Sequence, residues 1–424
     1  MNDAIGSQAA LTNRPLLWRR CAAFLAVAGP GIVCMLADTD AGSVITAAQS
    51  GARWGFKLLA LQILLVPILF VVQELTVRLG LTTGRGHGEL IRERFGKVWA
   101  WISVSTLMVA CVGALVTELS GVAGVGLLFG VPGWLSVALA VGLLIVVVWT
   151  GSYRSVERVA LAIGAFEFIF LGVAWASHPQ AKLLVDGLAH PPLGDRSYLY
   201  LTAANIGAVI MPWMIFYQQS AVVDKGLNER HLRAARWDTA FGAIATQVIM
   251  AAVLIATAAT IGRRNPGVPL DTVQQISQAL VPFLGAQAGR VLFAIGMTGA
   301  SVVAAIVVSL TAAWGLGEVL CYRRSLEHHP REAPWFYGVF TTALVLAGAL
   351  VASGVNLVDL SVAVEVMNAL LLPIVLGFLY MLAVKALPEQ HRLRGWYAVI
   401  VAVLILATAG FGVYAALFGV NAAH

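Results

Sequence analysis

The sequence predicts an all-α polytopic membrane protein with eleven membrane-spanning helices. Three observations carry this. Hydrophobic residues make up 59% of the 424-residue chain and charged residues only 11%. Mean hydropathy is +0.85, and apolar runs long enough to cross a bilayer recur eleven times. Soluble domains run at about 45–50% apolar and about 25% charged, so a globular interior has no room for this much apolar surface. A bilayer offers about 30 Å of hydrocarbon to receive it. The runs are continuous and do not alternate, which excludes a β-barrel.

The first run starts near Cys21, behind Arg14, Arg19 and Arg20, and continues past Ile45 with no small-residue cleavage pattern. It therefore reads as a retained first span and not as a signal peptide. The spans fall at about 23–50, 56–79, 98–129, 133–150, 157–176, 200–223, 238–262, 288–321, 335–353, 357–384 and 395–418. Each is near or above the roughly 20 residues that a spanning helix needs. No linker separates a second domain, so residues 1–424 are expected to form one transmembrane unit. Of the two longer outside loops, 177–199 and 263–287, the second carries Leu270, Val273, Ile276 and Leu280 at helical spacing and predicts a short interfacial helix.

With the N-terminus inside, 20 of the 27 basic residues fall in inside segments and 7 in outside ones. This bias predicts an inner (cytoplasmic) membrane protein with its N-terminus in and its C-terminus out. The net charge of +6 is then a topology signal, and no nucleic-acid partner is expected. The four cysteines, Cys21, Cys34, Cys111 and Cys321, form no CxxC pair and read as small buried hydrophobes.

Two spans contain residues that break a membrane helix. Span 1 carries GPGIVCMLADTDAGSVITAAQSGA at 29–52, with Asp38 and Asp40 in mid-run before Ala41, Gly42 and Ser43. A carboxylate at bilayer depth costs about 2.5–3.5 kcal/mol on insertion scales and needs a partner or a cavity. Two acids at i and i+2 beside a glycine point to an unwound segment, where carboxylates and free carbonyls can replace a cation's hydration shell. Acids paired to a nearby arginine are the plainer alternative. Span 6 carries ANIGAVIMPWMIFYQQSAVVDKG at 204–226. Pro212 cannot donate its backbone hydrogen bond, which frees the Ala208 carbonyl on the side where Met211 carries its thioether. Breaks five spans apart predict two inverted repeats, spans 1–5 (about 23–176) and 6–10 (about 200–384), with span 11 added and the site at the midplane.

These residues resemble the NRAMP family of metal-ion transporters, as a divergent branch, from about residue 20 to about 385. Asp40-Ala41-Gly42-Ser43 is similar to the family's Asp-Pro-Gly-Asn signature, with alanine for proline and serine for asparagine. QELTVRLGLTTGRGHGELIRERFG at 73–96 is similar to the family's cytoplasmic exit from span 2, and TELSGVAGVGLLFGVP at 117–132 keeps the family glutamate as Glu118. Ala208 and Met211-Pro212 match the metal-binding stretch, but the histidine that should follow is Trp213; in span 10 the family's glutamine becomes Glu365. The resemblance implies a LeuT-type 5+5 inverted-repeat fold with helices 1 and 6 broken, alternating access and metal-cation cargo.

On this resemblance the candidate ligands are Asp40, Ser43, Ala208 and Met211, with Glu365 and Asp38 completing the shell. Three of them have a second reading: Ser43 as a helix cap, Asp38 facing a solvent pathway, and Glu365 paired with Asn368 or with water. Glu118 is the candidate proton relay and Trp213 a packing or gating residue. The second acid of span 3 is Leu115, and all eight histidines fall in loops or at ends, so proton coupling is expected to be weakened or absent. A soft thioether favours Mn²⁺ or Fe²⁺, whereas the added carboxylates favour Mg²⁺ or a trivalent ion. No resident cofactor and no enzyme activity are expected, and the chain is expected to be a monomer in the lipid bilayer. An organic-solute carrier of the same fold is the rival reading. Glu74, Glu167 and Glu318 are assigned no chemistry.

Overall fold

A computed structural model describes residues 30–150, 168–264, 267–280, 285–324, 328–354 and 356–420. The expected start of span 1 (23–29) and most of span 5 (157–167), with Cys21 and Glu167, lie outside the described residues. In chain order the α-helices are α1 (Pro30–Asp38), α2 (Ala41–Trp54), α3 (Leu59–Thr83), α4 (His87–Phe95), α5 (Lys97–Leu128), α6 (Gly133–Thr150), α7 (Ile169–Ala176) and α8 (Ala181–Ala189). They continue with α9 (Arg196–Val209), α10 (Pro212–Asp224), α11 (Leu232–Thr257), α12 (Val273–Leu280), α13 (Ala286–Leu320), α14 (Pro334–Ala352), α15 (Leu357–Lys385) and α16 (Gly395–Val420).

Among the described residues, nine helices are long and apolar enough to cross a membrane, or ten when the bent pair α1 and α2 counts as one span. The expected eleven is not reached among them. Only eight residues of the fifth run form a described helix, α7, and the apolar residues before it are outside the described set.

Exposure sorts these helices into layers. In α2 every residue from Ala41 to Ala52 is buried, and α9 and α10 are buried along nearly their whole length. In contrast α6 turns Trp134, Leu139 and Leu143 outward, and α16 does the same with Leu406 and Leu417. Large apolar side chains are stable on an outer face when the solvent there is hydrocarbon. Around the central helices, α9 packs on α15 and α16, α2 on α11, α9 and α15, and α5 on α13, α14 and α15. Proline inside α3 (Pro67) and α15 (Pro373) leaves both helices continuous, as membrane helices allow when neighbours satisfy the freed carbonyls.

Loop structure corrects three expectations. The segment 177–199 contains a helix, α8, that its sequence did not announce. The short helix expected in 263–287 is α12, but Val273 and Ile276 are buried against the protein instead of lying free at the interface. Cys34 and Cys111 are buried, while Cys321 is exposed and contacts the Arg92 guanidinium.

Candidate metal-ion site

The first break follows from local chemistry. α1 ends at Asp38, α2 begins at Ala41, and the two axes meet at 49°. Asp40 has extended backbone (φ −72°, ψ 175°), and its Oδ1 accepts the Ser43 N–H at 2.7 Å, so Asp40 is the N-cap of α2. Carboxylates are favoured there because they satisfy an otherwise orphaned N–H and face the positive end of the helix dipole. The capping residue is thus Asp40; Ser43, which offered a second reading as a cap, is instead the donor to it.

The second break is built differently. α9 ends at Val209, Met211 is extended (φ −85°, ψ 139°), and Pro212 opens α10. Proline suits that first turn because its missing N–H would have no partner there. The two breaks meet: the Ser43 hydroxyl donates to the Ala208 carbonyl at 3.1 Å.

Helices α5 and α15 supply the remaining carboxyls. Glu118 Oε2 accepts the Ala41 N–H at 3.2 Å, and the Thr117 hydroxyl, which donates to the Ala114 carbonyl at 2.7 Å, lies 3.3 Å from Glu118 Oε1. Glu118 and Asp40 are neighbouring carboxyls that act on each other electrostatically. Glu365 Oε2 accepts from Asn368 at 3.0 Å. A Cβ on Gly42 would collide with Glu365 Oε1, and one on Gly207 with the Glu365 carbonyl, so both glycines are needed for α15 to come this close.

Four carboxyls thus surround the first break, all fully buried or nearly so. The charged groups acting on Asp38 and Glu365 are other carboxyls of this set. Neither Asp38 oxygen has a hydrogen-bond partner, nor do Asp40 Oδ2 and Glu365 Oε1. Unpaired buried carboxylate oxygens are costly, and a proton or a bound cation offsets that cost. Among the described residues, no three His, Cys, Asp or Glu side chains group tightly enough to hold an ion by themselves. Neutral donors such as the Ala208 carbonyl and Ser43 hydroxyl would therefore have to join the shell.

Hydrogen bonds bring together Asp40, Ser43 and Ala208, Glu118 joins them through the Ala41 N–H, and Glu365 lies against Gly42 and Gly207. Asp38 reaches them through its charge. Met211 and Trp213 are joined to each other: the Trp213 indole N–H donates to the Met211 sulfur at 2.9 Å, and both side chains are fully buried.

Three residues given no role turn out to be buried and bonded. Glu318 accepts from the Ser220 hydroxyl at 2.5 Å and from the Gly88 N–H at 2.7 Å. Glu74 pairs with Arg78 at 2.5 Å and Arg236 at 2.7 Å. His87, expected in a loop, starts α4, is fully buried, hydrogen-bonds Gln219 at 3.0 Å and meets the Phe216 ring edge-on. Burial lowers its pKa to about 4, so it is neutral near pH 7. Each partner lies more than 90 residues away or on another helix, apart from the Glu74–Arg78 pair at i,i+4, the one signal the sequence did offer.

Fold and site together define an all-α polytopic membrane protein of the LeuT type, with carboxyls gathered at a broken helix. The chain matches the Natural resistance-associated macrophage protein-like (Nramp) family over residues 31–417 and belongs to that family. It is 27% identical over 301 residues to the divalent metal cation transporter MntH of Pectobacterium carotovorum, covering 68% of this chain and 70% of that protein. It is 26% identical over 356 residues to MntH of Aeromonas hydrophila, covering 78% of this chain and 84% of that protein. Among solved structures, a mutant of the Eremococcus coleocola manganese transporter superposes with a TM-score of 0.74 at 20% identity, covering 92% of this chain and 85% of that one.

Proposed function

We propose that this protein is a secondary transporter of divalent metal cations, with Mn²⁺ or Fe²⁺ as cargo, working by alternating access. The observation that carries the reading is the set of buried, unpartnered oxygens of Asp38, Asp40 and Glu365 at the first break. Family membership supports it, as do relatives named divalent metal cation transporters and a structural neighbour named a manganese transporter. The proposed ligands are Asp40, Asp38, Glu365, Ser43, the Ala208 carbonyl and the Met211 thioether, drawn from both breaks. Mg²⁺ or a trivalent ion is the second reading, favoured by the number of carboxylates.

Proton coupling is reduced in this reading to the Asp40–Glu118 carboxyl pair, because no imidazole among the described residues hydrogen-bonds to these carboxyls. The proposed topology is eleven spans in a 5+5 inverted repeat followed by span 11, forming one transporter domain. The N-terminus is inside and the C-terminus outside a cytoplasmic membrane, a reading supported by the basic residues counted above. The proposed working unit is a monomer.

Flux of Mn²⁺, Fe²⁺ and Mg²⁺ into proteoliposomes holding the full chain tests the proposal. Saturable Mn²⁺ or Fe²⁺ uptake is expected, with an internal pH change smaller than one proton per ion. Uptake of none of the three would overturn it.

A further inference from the structure

Trp213 stands where the family resemblance led to the expectation of a histidine, and its volume alone would make it a packing residue. Its one polar atom says more. An indole N–H is a donor only, and when buried it needs an acceptor. Here that acceptor is the Met211 sulfur, at 2.9 Å, with both side chains fully buried. The extended backbone at Met211, just before Pro212, allows residues two apart to meet in this way.

A thioether is a weak acceptor with two lone pairs. With one lone pair turned to Trp213, the sulfur can approach a cation only through the other, carrying less electron density. Giving the sulfur fully to the ion would orphan a buried N–H, which is costly. The carboxylate oxygens of Asp38, Asp40 and Glu365 carry no such commitment.

Resting on the proposed transport of a divalent cation, we infer that Trp213 is a specificity-determining positioning residue, which restrains the Met211 thioether and biases the site toward hard, oxygen-seeking ions. Soft cations gain most from sulfur ligation, so they lose most when the sulfur is held back. Among divalent ions, hard Mn²⁺ suffers little and soft Cd²⁺ suffers more.

The test is calorimetric titration of the detergent-solubilised full chain with MnCl₂ and with CdCl₂, read as the ratio of the two dissociation constants. Trp213→Phe keeps the ring and removes the donor; Met211→Leu keeps the volume and removes the sulfur. Trp213→Phe is expected to raise the preference for Cd²⁺ over Mn²⁺ by about tenfold, the worth of one released hydrogen bond. Met211→Leu should then lower that preference several-fold more in the Trp213→Phe background than in the native one. Equal effects of Met211→Leu in both backgrounds would overturn the inference even if the Trp213 variant alone were hard to interpret. A native chain that binds Mn²⁺ with a ratio unmoved by Trp213→Phe refutes the role of Trp213 and leaves the transport reading standing. Binding of neither ion by the native chain refutes both.

Discussion

Replacing Asp40 by asparagine separates the two tasks this side chain performs. Asparagine caps a helix as well as aspartate does, so the Ser43 N–H keeps its acceptor and the bend between α1 and α2 is retained. What is lost is one negative charge among four buried carboxyls, at the oxygen that has no protein partner. Removing one member of a buried, desolvated charge pair costs about 2–5 kcal/mol. At about 1.4 kcal/mol per tenfold, the apparent Mn²⁺ affinity should fall by about thirty-fold or more. In the metal-free protein the sign reverses, because a like-charge repulsion with Asp38, Glu118 and Glu365 is relieved. The assay is paired: Mn²⁺ uptake by proteoliposomes, and thermal unfolding in detergent with and without Mn²⁺. The variant is expected to melt no lower than the native chain without Mn²⁺ and to lose most of the stabilisation that Mn²⁺ confers. Native-like Mn²⁺ affinity in Asp40→Asn, or collapse of its metal-free stability, would refute the reasoning.

Other perturbations read other parts of the same geometry. Glu118→Gln keeps an acceptor for the Ala41 N–H but removes the carboxyl facing Asp40; Mn²⁺ uptake should persist while its remaining dependence on external pH flattens. Gly42→Ala drives a methyl into Glu365 and Thr117; a loss of about 1–3 kcal/mol of stability, with Mn²⁺ uptake largely abolished, is expected from melting and flux. His87 supplies a pH signature. Its folded pKa of about 4 lies below the ordinary 6.5, so between those values the unfolded chain takes up a proton that the folded chain refuses. Stability therefore falls as pH drops from about 6.5 to about 4, by about 3 kcal/mol at roughly 1.4 kcal/mol per pH unit. His87→Gln should flatten the melting temperature across that window.

Both breaks were legible because each violates its surroundings: two acids and a glycine inside apolar sequence, and a proline in mid-span. Their meeting through Ser43 and Ala208 spans 165 residues and has no local signature. Glu118 and Glu365 drew notice only through the family resemblance, since a lone acid in a long apolar helix does not reveal which neighbour it faces. Glu365 keeps one oxygen on Asn368, one of the readings its sequence offered, and leaves the other unpartnered. The bond from Trp213 to Met211 was invisible because residues at i and i+2 do not meet on a helix; only the extended backbone at Met211 lets them. His87 was passed over because a glycine-rich loop reads as solvated, and Glu318 because it sits near a helix end; the Gly88 N–H donating to Glu318 joins the two segments.

The most direct measurement is an anomalous-scattering map from crystals of the full chain grown with Mn²⁺. One ion is expected between the two breaks, with Asp40 Oδ2 and the Ala208 carbonyl at about 2.1–2.5 Å, the range of hard-cation oxygen ligation. An ion bound elsewhere, or no ion in crystals of a chain that demonstrably transports Mn²⁺, would contradict the account.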